Sequence, residues 1–158
     1  MPPQGASFPP RPVPHSGPMQ IHGSCASRDG AGVLVLGPAG SGKSDLVLRL
    51  LDRGFDLVAD DRVEIEHDMA RAPASLAGLI EVRGLGLLRL PHVPQARLAL
   101  VVDVSARMER LPVPARHAAL GLPLIALDPA AASAAQRVAL ALDCALGRVG
   151  QIAGAFAA

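Results

Sequence analysis

The stretch "GPAGSGKS", Gly37 to Ser44, has the spacing G-x-x-x-x-G-K-[ST], in which a loop curls its backbone N–H groups around phosphate oxygens. Gly37, Pro38, Ala39, Gly40, Ser41 and Gly42 would form that loop. Lys43 is placed to reach the β and γ phosphates of a nucleotide, and Ser44 to offer a hydroxyl to Mg²⁺. Composition sharpens the assignment. Among fifteen basic residues Lys43 is the only lysine, so a chain that otherwise writes arginine keeps a compact ammonium where the motif uses one.

A second stretch, "LVADDRVEI", sets Asp60 and Asp61 side by side at the end of an apolar run. Like-charged neighbours raise each other's pKa unless a cation or a donor lies between them, so a positive partner such as a Mg-nucleotide is expected. Two roles are open to the pair: holding the metal through water, or accepting the proton of an attacking hydroxyl. A solvated Asp-Asp turn is the plainer alternative. In "GLIEVRGLGLLRL", Glu81 and Arg83 would project from one face of a strand that breaks at Gly84 and Gly86. Spacing alone makes them no more than an exposed ion pair, worth under about 1 kcal/mol.

These residues need elements to hold them. "MQIHGSCASRDGAGVLVLG" reads as two extended runs around an Asp29-Gly30 turn. That turn pairs Arg28 with Ala31, Cys25 with Leu34 and His22 with Gly37, which carries His22 to the phosphate loop. A strand over Gly32 to Leu36 feeds the loop. A helix from about Lys43 to Arg53, with Leu46, Val47, Leu50 and Leu51 on one side, leads roughly 16 Å away. Phe55 to Ala59 returns as a strand of similar length. A right-handed crossover onto a parallel neighbour then brings Asp60 and Asp61 to the loop's edge of the sheet. Arg97 to Val104 reads as a central strand, and Ala130 to Leu146 as a helix with Val138, Leu142 and Leu146 on one stripe. His117 falls in a loop-prone region and receives no function.

The 158 residues, half of them apolar, suit one domain with a real core. A formal charge of +1 and the absence of Trp and Tyr argue against nucleic-acid binding. No apolar run reaches membrane length. Cys25 and Cys144 are isolated, which fits a reducing cytoplasm. Residues 1–18, rich in Pro and Gly, read as a disordered leader, with the catalytic domain over residues 19–158.

The order His22, GPAGSGKS, a helix ending in RGF, LVADDRVEI and LIEVRGLGLL resembles HPr kinase/phosphorylase, the bifunctional bacterial enzyme that phosphorylates a serine of the phosphocarrier HPr. The likeness is clearest over Met19 to Val104. It implies an α/β P-loop fold similar to the phosphoenolpyruvate carboxykinase core, ATP and Mg²⁺, and an HPr-type carrier of the phosphotransferase system as partner. It also implies a homo-oligomer, a hexamer. Ser44 and Glu81 would hold the metal, and Asp60 would be the base in transfer and the acid in phosphorolysis. Asp61 and His22 would complete that cluster. The chain has no room for the extra N-terminal domain of longer members and looks like the short form known from alphaproteobacteria. Where longer members carry an arginine-rich loop of the type PVRPGRN, this chain reads "LIALDPAAASAAQR", with Asp128 and Pro129. That implies a kinase without efficient phosphorylase activity, with Arg83 and Arg137 as substitutes for balancing charge. Two other classes stay open: a P-loop small-molecule kinase or ATPase, and a nucleotide-sensing module that catalyses nothing.

Overall fold

Asp29 and Gly30 take φ of 53° and 80°, the left-handed pair that a two-residue hairpin turn needs. In the computed structural model, which describes residues 18–157, they join two strands in the expected register, Arg28 opposite Ala31 and Cys25 opposite Leu34. That register does not extend to His22. At Gly23 the chain leaves the hairpin, and a Cβ added there would stand 2.9 Å from the Val35 carbonyl oxygen, so glycine permits the bend. His22 is thereby carried to a different strand, opposite Arg62, and not beside Gly37. The expected leader lies, up to residue 17, outside the described residues.

In chain order the elements are β1 (Met19–His22), β2 (Ser24–Arg28), β3 (Ala31–Leu36), α1 (Lys43–Leu51), β4 (Asp56–Ala59), β5 (Arg62–Glu66), β6 (Met69–Arg71), β7 (Leu79–Val82), β8 (Gly86–Arg89), β9 (Ala96–Asp103), β10 (Leu124–Ala126) and α2 (Ala134–Ala145). Eight strands form one sheet in the order β1, β5, β6, β9, β3, β2, β4, with β10 also beside β9, while β7 and β8 make a separate ribbon. β1 and β2 lie near opposite ends of that order, yet only Gly23 separates them in the chain. The sheet must therefore curl until its ends meet, and the Gly23 amide donates to the Asp61 carbonyl at 3.1 Å across the closure.

The curl creates two cores. Leu34, Leu98 and Val101 face inward and join Val58, Val63 and Ile65. Val33, Val35, Leu100 and Val102 face outward and pack on Leu46, Val47 and Leu50 of α1 and on Val138 and Leu142 of α2. Burial on both faces is why β3 and the Leu98 to Val102 part of β9 read as unbroken apolar runs. The predicted α2 stripe stops at Leu142, because Leu146 follows the last helical residue and is exposed.

β4 runs in the same direction as β3, since each is antiparallel to β2, which lies between them. The expected parallel adjacency is thus replaced by an intervening strand, while Asp60 and Asp61 still emerge at the P-loop's edge. Among the described residues, no helix is long and apolar enough to cross a membrane.

Candidate active site

The phosphate loop links β3 to α1 with Gly42 as N-cap at φ 99°, where an added Cβ would meet the Pro129 ring at 3.2 Å. No side chain caps α1, which leaves its leading N–H groups to an external anion. Lys43 is buried, and its Nζ donates to the carbonyls of Gly37 at 2.6 Å and Pro38 at 2.9 Å, so the loop holds the ammonium it presents. Ser41 Oγ is buried without a hydrogen-bond partner among the described residues, an orphan of the kind a bound group satisfies.

The adjacent aspartates face different surroundings because Asp61 is left-handed, with φ 68°, while the Arg62 amide donates to the Asp60 carbonyl at 2.8 Å. Aspartate tolerates that conformation better than most residues. Asp60 is 5% exposed. Its Oδ1 accepts from Ser24 Oγ at 2.7 Å and from Ser44 Oγ at 2.8 Å, and its Oδ2 lies 3.0 Å from Ser44 Oγ. Asp61 instead points outward, 63% exposed, with Oδ1 3.2 Å from Nε2 of His22, itself 53% exposed. The two carboxylates are thus side by side in sequence, but each has its own hydrogen-bonding partners. Cys25, next to Ser24, is fully buried, and burial pushes its thiol up to about 12, which excludes it as a nucleophile near neutral pH.

A cleft of about 400 Å³ opens beside the loop. It gathers Ala39, Gly40, Gly42, Lys43, Ser44, Asp61, Glu81 and Arg83 from the residues singled out by sequence. Asp60 reaches it through Ser44, and His22 through Asp61. Gly37 and Pro38 support Lys43 from behind. Glu81 is on β7, which buried Ile80 anchors to the α1 side of the core. Arg83 lies in the turn after β7 and not on the strand, and it forms no ion pair with Glu81 among the described residues. Ser24, Asp45, Leu48 and Val82 also line the cleft. Of these, Ser24 alone touches Asp60, and nothing in its local sequence marks it.

The loop standing where arginines were expected is tied down differently. Asp128 accepts the Ala130 amide through Oδ1 at 2.9 Å, a local turn bond. Arg49 of α1 donates to the Pro129 carbonyl and, at 3.2 Å, to that of Ala131. Arg137 turns to Ser133 Oγ at 2.9 Å and Met108 Sδ at 3.5 Å, and does not line the cleft. His117 accepts the Leu120 amide at Nδ1, 3.1 Å away, which shapes its loop.

The donor set fits a divalent cation that arrives with phosphate. Ser44 spends its one O–H on Asp60, so its oxygen lone pairs remain for a metal, and Glu81 supplies a carboxylate to the same cleft. Among the described residues no three His, Cys, Asp or Glu side chains gather into a cage. Mg²⁺ takes few protein oxygens and completes its shell with phosphate and water, so the Ser44 hydroxyl and the Glu81 carboxylate are donors it would accept.

A family model described as HPr Serine kinase C-terminal domain matches residues 16–111. The HPr kinase/phosphorylase of Aromatoleum aromaticum is 35% identical over 148 residues, spanning 81% of this chain and 47% of that protein. That of Cupriavidus metallidurans is 39% identical over 121 residues, 66% of this chain and 38% of its own length. The chain therefore spans about half or less of these curated relatives. The solved Hpr(Ser) kinase/phosphatase from Coxiella burnetii aligns with a TM-score of 0.67 at 22% identity, over 82% of this chain and 92% of that one, a likeness of fold.

Proposed function

Because the chain belongs to the HPr serine kinase C-terminal domain family, we propose that it transfers the γ-phosphoryl group of ATP to a serine of an HPr-type phosphocarrier. The observation that carries this reading is one cleft lined by the sole lysine, by Ser44 with Asp60 hydrogen-bonded behind it, and by Asp61 with His22 beside it.

Lys43 and the uncapped start of α1 bind and orient the phosphates. Ser44 and Glu81 would hold Mg²⁺, which when bound would offset charge on the phosphoryl oxygens. The family resemblance gives the base role to Asp60, but the geometry supports Asp61. A base must come within hydrogen-bond reach of the seryl hydroxyl. Both oxygens of Asp60 already face hydroxyls inside the protein, whereas Asp61 stands in the cleft with most of its carboxylate open. His22 keeps that carboxylate oriented. In transfer, the seryl oxygen bonds to the γ phosphorus as the bond to the β-bridging oxygen breaks, Asp61 takes the hydroxyl proton, and ADP leaves. Arg83, in the cleft-lining turn, offsets charge on the transferred group. Phosphorolysis is inefficient, because the loop at Asp128 and Pro129 brings no arginine and Arg137 is engaged elsewhere.

The test is intact-mass spectrometry of an HPr-type carrier incubated with the protein, ATP and Mg²⁺, followed by peptide mapping. One phosphoserine, absent with Lys43→Ala, is the expected result. An unmodified carrier despite measurable ATP binding overturns the reading in favour of another acceptor or a nucleotide sensor.

A further inference from the structure

We infer that Ser24 is a positioning residue for the divalent cation of this cleft, acting through Asp60 on the Ser44 hydroxyl. The inference rests on the Mg-nucleotide reading above and adds a residue outside the phosphate loop and both acidic motifs.

Ser24 opens β2 immediately after the Gly23 bend, opposite Val35, and is fully buried. A buried hydroxyl needs a partner, and the one hydrogen of Ser24 goes to Asp60 Oδ1 at 2.7 Å. Ser44 donates to the same carboxylate from α1. The carboxylate is therefore pinned between two elements, a strand and a helix. With Asp60 only 5% exposed, water does little to replace a lost donor. An Asp60 held only by Ser44 can swing about its side chain and carry the Ser44 O–H with it. The consequence falls on the oxygen that Ser44 offers to a cation, while the phosphate contacts of Lys43 and the α1 amides stay in place. Serine is thus used here as an outer support for a metal ligand, the role in which hydrogen-bond partners tune affinity.

The experiment is calorimetric titration of the full chain with ATP, once with Mg²⁺ and once with EDTA. The ratio of the two affinities reads the coupling between metal and nucleotide. Ser24→Ala removes one oxygen and adds no atom. It is expected to lower that ratio about tenfold, the low end for losing an outer-shell partner, with the EDTA affinity held within about twofold. Ser24→Thr, which keeps the hydroxyl, is expected to restore most of the coupling, and Ser24→Cys, with its weak donor, to fall between them. In an Asp60→Asn background, Ser24→Ala is expected to add nothing further, which a merely structural role would not produce. Wild-type coupling in Ser24→Ala, equal loss with Mg²⁺ and with EDTA, or simple addition of the two substitutions would each overturn the inference. A wild-type chain that binds ATP no better with Mg²⁺ than with EDTA overturns the metal reading itself, and is recognised without any variant.

Discussion

Lys43 and Asp60, on the side of the cleft built by β3, α1 and β4, are buried and hydrogen-bonded, whereas Glu81 on β7 and Arg83 in the turn behind it are exposed and unpaired among the described residues. The difference follows from what each side meets. Phosphate charge is stabilised best by dipoles and cations already fixed in place, so the cradle is wired before ligand arrives. On the proposed reading a protein acceptor would bring its own surface, which an open opposite wall would admit. That wall is a two-stranded ribbon, too small to stand alone, and it keeps its place by packing Ile80, Val82 and Leu88 onto the outer core.

The contrast breaks first at Lys43. Lys43→Ala is expected to weaken ATP binding by at least about a hundredfold and to abolish phosphoryl transfer, since charged hydrogen bonds to phosphate are lost with no neighbouring lysine to replace them. Calorimetry and intact-mass assays read the two effects. Asp61→Asn keeps a side chain that accepts φ near 68°, and is expected to cut transfer by about 10²- to 10⁴-fold with ATP affinity unchanged. Asp60→Asn is expected to reduce the Mg²⁺ dependence of binding instead. The reverse pattern would return the base role to Asp60.

Two stability measurements sharpen the same comparison. In urea unfolding, Ile80→Ala is expected to cost about 2–4 kcal/mol, and the exposed Leu87→Ser less than about 0.5 kcal/mol. The Ile80 variant should lose transfer while the surviving folded protein still binds ATP. Beneath the cradle lies Cys25, whose thiol pKa is raised from 9.0 to about 12. The unfolded chain releases that proton first, so stability from the neutral thiol is complete below about pH 9 and is lost as pH rises toward 12. The loss runs at up to about 1.4 kcal/mol per pH unit. Unfolding at about pH 8 and about pH 10.5 should show the loss in wild type and a smaller one in Cys25→Ala.

The parts legible in sequence were those governed by local rules. The Asp29-Gly30 turn, the phosphate loop and α1 each follow from a few adjacent residues. What escaped depends on distant contacts. The bend at Gly23 comes from the approach of Val35, which local hairpin rules do not contain, so those rules alone extend the register through His22. A second left-handed pair, His67 at φ 51° and Asp68 at φ 63°, joins β5 to β6 without the glycine that usually marks such a turn. The pair Asp60-Asp61 is visible in sequence, but which carboxylate turns inward depends on one φ angle and on two serines 36 and 16 residues away. Curling of the sheet, which puts Asp61 beside His22, has no local signature at all.

Arg49 carries the smallest expected effect and tests whether the cradle side ends at α1. Its guanidinium holds the Pro129 and Ala131 carbonyls, and the Pro129 ring lies against Gly42, where the phosphate loop becomes helix. Arg49→Ala frees that loop from the helix without touching a phosphate-binding group. Arg49 is partly exposed, so water takes over some of the lost contacts. The KM for ATP should rise about two- to fivefold with kcat unchanged, because only positioning of the nucleotide is disturbed. A fall in kcat at constant KM would place the Asp128–Pro129 loop in the transfer step itself, and the division between a wired nucleotide side and an open acceptor side would then have to include a third, C-terminal wall.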